Sequence, residues 1–314
     1  MNAQSPTAMK TIRMFSLCSI LALSSSATQA AVIVDGSRDF DYGPALAVQT
    51  VETGFGDNAN EWNAAYGRIE SGRLYLMLTG NLQDNFNRLD VFIDSKAGGQ
   101  LVFDSSGNDN ASNMDGLQFD VGFSADYHLI FRRGTDVGNP MFNVDFANLG
   151  AQSASGYLDI MGGLDGIGAT GTGVNASTIS VAYDGSNVAG ILGGSDPANQ
   201  LAALAVTTGL EWSVALSDLG YAGGAINVMV GQNNQDHNYW SNQFLAGLAV
   251  PQGNLGGDGA GGFTGEGAID FTTLRGDQFF TVPEPSALAL LASGVTLACA
   301  WGRRRPAAAK APAA

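Results

Sequence analysis

The chain has 314 residues, with 14 Lys and Arg against 29 Asp and Glu, and a formal net charge of −15. Residues 31–281 hold 8 of the basic residues and 28 of the acidic ones, a net charge of −20. A surface of that charge repels phosphates, which excludes nucleic acid as a partner. Both cysteines, Cys18 and Cys299, lie outside residues 31–281, which excludes disulfides, zinc thiolate sites and thiol nucleophiles there.

Residues 1–30 have the layout of a secretory signal peptide. Lys10 and Arg13 precede an apolar run over residues 14–23, and small polar residues follow up to Ala30, where we expect cleavage. Translation from Met9 instead of the first methionine would leave the same signal. The sequence therefore predicts export of the rest of the chain by the general secretion machinery.

Residues 31–281 are rich in residues that form turns. They contain 41 of the 43 glycines, and Asp outnumbers Glu by 23 to 5. Asp bonds its own backbone and Gly supplies positive φ, so both favour turns. Many turns imply many short strands.

Seven β-branched and aromatic runs, each bounded by turn residues, predict strands. They are Arg73 to Gly80, Arg88 to Asp94, Leu117 to Phe123, Tyr127 to Arg133, Thr178 to Tyr183, Glu211 to Leu216 and Ile226 to Gly231. A cap and a first-turn proline, Ser195-Asp196-Pro197, predict one short helix over the residues that follow. Strands do not alternate with long helices, so we expect an all-β fold, a single jelly-roll-like β-sandwich of about ten strands over residues 31–281.

One polar stretch also contains the aromatic side chains that a sugar site needs. In GQNNQDHNYWSNQ, residues 231–243, Tyr239 and Trp240 stand among amides and Asp236. Sugar sites combine aromatic platforms with amide and carboxylate hydrogen-bonding groups. The stretch predicts a rim loop that presents an aromatic to a glycan; the alternative is a hydrated hairpin whose Trp240 folds back onto the core.

Calcium is a second candidate ligand, because it takes several hard oxygen ligands. Asp104, Asn108, Asp109 and Asp115 fall in one loop between two predicted strands. The alternative is a set of Asx-rich turns on an acidic surface. The stretch GGDGAGGF, residues 256–263, is like one turn of a calcium β-roll, but a single copy has no neighbour on which to stack.

Catalytic signals are weak. There are two histidines, His128 in a predicted strand and His237 in the polar stretch, with no Gly-x-Ser-x-Gly elbow and no His-Glu-x-x-His helix. With 28 acidic residues, any two could be nominated as a glycosidase pair, so such a nomination carries no information. We expect no enzyme; a glycan-active enzyme is the alternative from another class.

The C-terminal region has three parts in order. Val282-Pro283-Glu284-Pro285 is followed by an uncharged run, residues 286–302, and then by Arg303, Arg304 and Arg305. The run has 17 residues, about 25 Å as a helix, which is near the lower limit for crossing a bilayer. The arginines place the C-terminus in the cytoplasm. The Pro- and Ala-rich tail, residues 306–314, is expected to be unstructured.

Those three parts resemble the PEP-CTERM sorting signal of Gram-negative bacteria. The resemblance covers residues 282–305 and implies recognition by an exosortase, a membrane peptidase that cuts near Pro-Glu-Pro and releases the domain. It also implies a transient inner-membrane anchor and a bacterium that makes exopolysaccharide. The alternative is an ordinary, permanent tail anchor.

A second resemblance runs along residues 31–281. It rests on VDGSRDFDYG, LDVFIDSKAGGQ, MDGLQFDVGFSADYHLIFRRG, TGLEWSVALSDLG and HNYWSNQFLAGL. These stretches resemble a group of PEP-CTERM surface proteins and, more distantly, DOMON-like and family-nine carbohydrate-binding-module sandwiches. The resemblance implies a sandwich, and it implies that Trp62, within NEWNAAY, corresponds to a ligand-binding aromatic of the carbohydrate modules. It leaves sugar binding open.

Taken together, these features predict an exported cell-surface or extracellular-matrix protein, sorted by an exosortase, with a structural or carbohydrate-binding role in exopolysaccharide. The alternatives are a glycan-active enzyme and a permanently anchored, periplasm-facing protein.

Overall fold

The computed structural model describes residues 31–105, 107 and 109–284. These residues form thirteen strands and one short α-helix. The strands are β1 (Ala47–Val48), β2 (Glu61–Glu70), β3 (Arg73–Asn81), β4 (Arg88–Asp94), β5 (Tyr127–Asp136), β6 (Asn139–Asn148), β7 (Ser153–Tyr157), β8 (Gly166–Ala169), β9 (Ser180–Tyr183), β10 (Gly209–Ala215), β11 (Ile226–Asn233), β12 (Trp240–Leu245) and β13 (Phe279–Val282), and the helix is α1 (Gln200–Ala205).

The strands form two antiparallel sheets. The first sheet has the order β1-β2-β3-β10-β9-β8, and the second has the order β12-β11-β4-β5-β6-β7. The last strand, β13, also pairs with β11. It occupies the first half of the same β11 edge whose second half pairs with β12. The expectation of an all-β sandwich with little helix is confirmed.

The main core lies between the two sheets. Alternation in β4 sends Leu89, Val91 and Ile93 inward, where they are fully buried with Trp62 and Trp212. Successive side chains of a strand point to opposite faces of the sheet, so every second residue of β4 faces the core. The core includes residues from both sheets, among them Phe280 and Val282 of β13.

A second core covers the outer face of the second sheet. Phe92 and Ile130 point away from the main core and pack with loop residues such as Phe103, Phe119 and Phe271. The second sheet is therefore buried on both faces. This explains why its strands alternate only partly in sequence.

A smaller cluster covers the outer face of the first sheet. Tyr42, from the N-terminal segment, packs with Tyr66 and Met77 of β2 and β3. The segment is held by Glu211 of β10, whose carboxylate accepts hydrogen bonds from the backbone nitrogens of Asp35 and Gly36 at 2.8 and 3.0 Å.

Six of the seven predicted strands are present, at or near the expected bounds. Residues 117–123 are the exception: this stretch makes isolated bridges through Gln118 and supplies Leu117, Phe119 and Phe123 to the second core. Its apolar side chains are buried in that core, although the stretch forms no regular strand pairing. The helix begins later than expected, because Asn199, and not Ser195, caps it by accepting hydrogen bonds from the nitrogens of Leu201 and Ala202.

The described part of the chain holds no helix long and apolar enough to cross a membrane. The predicted signal peptide, residues 1–30, lies outside the described residues, as do the apolar run, residues 286–302, the arginines at 303–305 and the tail.

Candidate functional site

The polar stretch that suggested a sugar site forms the β11–β12 connection. The side chain of Asn234 organises it, accepting hydrogen bonds from the backbone nitrogens of Asp236 (3.2 Å) and Asn238 (3.1 Å). His237 takes a left-handed conformation with φ of 50°. This closed turn sends Tyr239 and Trp240 to opposite sides.

Trp240 points inward, which corrects one sequence-based expectation. It is 0% exposed and packs against Phe244 and Phe271, with ring centroids 5.2 and 6.5 Å away. Trp62 is equally buried, and its indole nitrogen donates to Gln232 Oε1 at 2.9 Å. Neither tryptophan presents a face to a ligand, so both are core residues; for Trp240 this is the folded-back alternative.

Tyr239 points outward and belongs to a row of stacked rings. Its ring centroid lies 4.2 Å from that of Phe263, with 28° between the planes, and 6.0 Å from that of Phe55, with 18° between the planes. Phe263 is 73% exposed, and the other two are half-buried. We call Phe55, Tyr239 and Phe263 the aromatic strip.

The three loops that carry the aromatic strip are tied to one another. Asn242 Oδ1 accepts from the Gly54 nitrogen at 2.8 Å, and Asn254 Nδ2 donates to the Gly54 carbonyl at 3.2 Å. A Cβ at Gly54 would lie 2.0 Å from Asn254 Oδ1, so a larger residue there would displace the Asn254 side chain. The strip is therefore held in place before any ligand arrives.

The glycine-rich stretch before Phe263 is a closed turn around Asp258. One carboxylate oxygen of Asp258 accepts from the nitrogens of Ala260 and Gly262, both at 2.8 Å. These hydrogen bonds, the one from Gly262 first, lower the pKa of Asp258. In a calcium β-roll turn this carboxylate would bind a cation. Here it accepts hydrogen bonds from the loop that carries Phe263.

The predicted calcium loop does not gather its carboxylates. Asp109 accepts from Arg88 Nε and Nη2 at 2.6 and 2.9 Å and lies 2.9 Å from Arg132 Nη1. Asp115 Oδ1 accepts from the Ser105 nitrogen at 2.7 Å, while the Asp104 carbonyl accepts from side-chain amides of Gln100 and Gln152.

Two arginines thus occupy the side of Asp109 that a cation would need. Asn108 lies outside the described residues. Among the described residues, no group of three or more His, Cys, Asp or Glu side chains is placed to hold a metal ion. The geometry of the described members therefore favours the alternative, a set of Asx-rich turns.

Below this loop, both histidines meet one buried carboxylate. Asp90 Oδ1 lies 2.8 Å from His128 Nε2 and 3.0 Å from His237 Nε2, and all three side chains are fully buried. Burial alone would raise the pKa of Asp90, but the charge of His237 and the hydrogen bonds from both rings outweigh it and lower the pKa. Burial lowers the pKa of His128, against the effect of Asp90.

The contacts of His237 join two loops to the second sheet. Its Nδ1 lies 3.1 Å from the carbonyl oxygen of Asp109, and its Nε2 lies 3.0 Å from Asp90 Oδ1, so both ring nitrogens face acceptors. The site is closed to solvent and serves to join the β11–β12 loop, the loop around Asp109 and the second sheet.

The aromatic strip was missed by sequence reasoning except for Tyr239. Phe55 and Phe263 lie in glycine-rich loops that carry no strand signal, and the β-roll likeness of residues 256–263 pointed to calcium and not to an aromatic platform. An aromatic residue in a glycine-rich loop was the signal available, since nothing in such a loop buries a ring. Asp236, the carboxylate proposed beside the strip, is exposed.

The sorting motif begins inside the sandwich. Val282 is the last residue of β13 and is fully buried, and the half-buried Pro283 and Glu284 follow it. Pro285 and the basic cluster lie outside the described residues.

Comparison with known families finds the PEP-CTERM protein-sorting motif at residues 281–305. No curated protein and no solved structure matches the chain. The resemblance to DOMON-like and family-nine sandwiches is therefore not supported, although the antiparallel sandwich itself is present. The motif implies an exported, transiently membrane-anchored protein that is processed by an exosortase.

Proposed function

We propose that this chain, which carries a PEP-CTERM sorting motif, acts after export as a polysaccharide-binding component of the cell surface or extracellular matrix. One observation carries the proposal: the largely exposed ring of Phe263 is held ring over ring on Tyr239. An exposed aromatic of this size on a rigid support is a platform for the apolar face of a sugar ring.

The polar surroundings of the strip suit a sugar. Asp236 lies on the loop that carries Tyr239, and Asn254 lies beside Phe55. Carboxylate and amide groups bind sugar hydroxyls while the ring stacks. Together they supply the mixture of apolar and polar groups that small-ligand sites use.

The net charge of residues 31–281 favours one class of polysaccharide. Residues 31–281 have a net charge of −20, and a strongly acidic surface repels acidic sugars. A neutral polysaccharide is therefore the favoured ligand. The proposal includes no catalysis, because His128 and His237 are enclosed with Asp90 away from solvent; a screen of glycan substrates is expected to show no turnover.

Affinity electrophoresis through gels that contain a neutral or an acidic polysaccharide tests this function. We expect the neutral gel to retard residues 31–284, and Phe263→Ala to weaken the interaction by at least about tenfold, which is about 1.4 kcal/mol. Phe40→Ala is the matched control, because Phe40 is 98% exposed and lies on the N-terminal segment.

Equal retardation of the Phe263→Ala variant and the natural protein would contradict the site. Failure of every neutral polysaccharide to retard the protein would favour a purely structural matrix role. Stronger retention by acidic polysaccharide would contradict the charge argument.

A further inference from the structure

The sorting motif and the folded domain share residues. The matched motif starts at Thr281, whereas β13 runs to Val282. Thr281 pairs with Asn227 and Val282 pairs with Ile226 on β11, and Thr281 Oγ1 donates to Asn227 Oδ1 at 2.8 Å. The motif therefore leaves the sandwich directly from a paired strand, without a linker.

Val282 is also fixed from the opposite sheet. Its side chain is fully buried, and a Cβ placed on Gly67 of β2 would lie 2.8 Å from a Val282 methyl. Detaching β13 would break the pairing with β11 and expose Phe280 and Val282, both members of the main core. Such a strand opens rarely compared with a loop tip or a free terminus.

The junction between this strand and the apolar run is short. Only Pro283, Glu284 and Pro285 separate Val282 from residue 286. Three fully extended residues reach about 10 Å. A peptidase that acts at the membrane therefore meets the folded sandwich at once on the N-terminal side of the motif.

Proteolysis requires an accessible, extended segment, and a bond within folded structure is cut only when that structure opens. We propose that β13 restricts processing: the bonds up to Val282 are protected by the sandwich, and the folded domain slows access to the motif. Cleavage, in which the acyl carbon passes from an amide nitrogen to the oxygen of water and the nitrogen takes a proton, then falls on the C-terminal side of Pro283, and the released domain keeps β13. This inference rests on exosortase sorting and is independent of polysaccharide binding.

The test compares the natural full-length chain with one that has Gly-Ser-Gly-Ser inserted between Val282 and Pro283, each expressed in cells that contain the exosortase. The insertion separates the motif from β13, so cleavage no longer requires local opening of the sandwich. We expect release to become at least about tenfold faster, which corresponds to about 1.4 kcal/mol of opening free energy. The matched control has the same insertion between Val137 and Gly138, in the exposed turn between β5 and β6.

A second pair of variants leaves the motif intact. Ile226→Ala weakens the partner of Val282, whereas Ile179→Ala removes the same buried atoms elsewhere in the main core. We expect faster release for Ile226→Ala than for Ile179→Ala. The intact mass of the natural released chain is expected to end at or after Pro283.

Equal release rates for the natural and lengthened chains would overturn the inference. So would a natural released chain that ends at or before Val282. Release of neither chain would contradict sorting by the motif, and this inference with it, while leaving the gel experiment on residues 31–284 to decide the polysaccharide proposal separately.

Discussion

The ring of Tyr239 lies 4.2 Å from the ring of Phe263, close to parallel, at the surface of the sandwich. The next residue along the chain, Trp240, is buried at the opposite side of the same backbone. Two adjacent aromatics thus have separate tasks: one supports a candidate ligand platform, and the other fills the second core.

Alanine substitutions of a buried and an exposed aromatic should differ in their effect on stability. Trp240→Ala is expected to lower the free energy of unfolding by about 3–5 kcal/mol, because it leaves a large cavity among Phe244 and Phe271. Phe263→Ala is expected to stay within about 1 kcal/mol of the natural protein, since its ring is largely exposed. Urea unfolding measures both; a tolerated Trp240→Ala would contradict the buried position.

The dependence of stability on pH should report on Glu211. Burial raises its pKa to about 7, despite hydrogen bonds from Asp35, Tyr42 and Gly36. The folded state then holds a proton that the unfolded state, with its usual value of 4.5, releases. The contribution of Glu211 to stability is therefore fully present below about pH 4.5 and is lost as pH rises towards about 7.

Glu211→Gln removes this titration, so the variant should lose less stability than the natural protein between about pH 4.5 and 7. The difference between the two slopes, integrated over that interval, should be on the order of 3 kcal/mol. Urea midpoints at several pH values measure it. The variant also differs from the natural protein in absolute stability, because an amide replaces an acceptor of three hydrogen bonds. The test therefore compares only the slopes, and parallel pH curves would contradict the raised pKa of Glu211.

Neutralising Asp90 should be strongly destabilising. Asp90→Asn removes the charge of the buried carboxylate that both His128 and His237 contact, and removing one partner of a buried pair costs about 3–5 kcal/mol. Asp236→Asn is the matched control, because that side chain is exposed on the same loop as His237, and surface changes stay within about 0.5 kcal/mol. Similar unfolding midpoints for the two variants would contradict a structural role for the buried Asp90.

Strand β4 shows what the sequence predicts well. Its run of β-branched and aromatic residues is bounded by turn residues, so the prediction and the observed Arg88–Asp94 coincide. Strand β2 was missed because its buried face includes polar residues: Glu61 and Asn63 are fully buried and bonded to each other at 2.7 Å. A pattern of hydrophobicity does not detect buried polar groups that satisfy one another.

The candidate sites depend on long-range pairing, which a single sequence does not specify. Asp90 and His128 lie on strands that the sequence predicts, but the contact with His237, 147 residues from Asp90, depends on the order of strands in the second sheet. Phe263 meets Tyr239 because the loop after β12 folds back and bridges Trp240 through Gly256. The sorting motif was predictable because its parts are contiguous in sequence.

The position of β13 also bears on when the protein folds during export. An exported chain crosses the membrane from its N-terminus, and strand β11 stays unpaired along half of one edge until residues 279–282 have emerged. Phe280 and Val282 complete the main core only at that moment. The sandwich therefore closes only after residues 279–282 have crossed, so a chain that stalls in the secretion channel before that point remains open and within reach of chaperones and proteases.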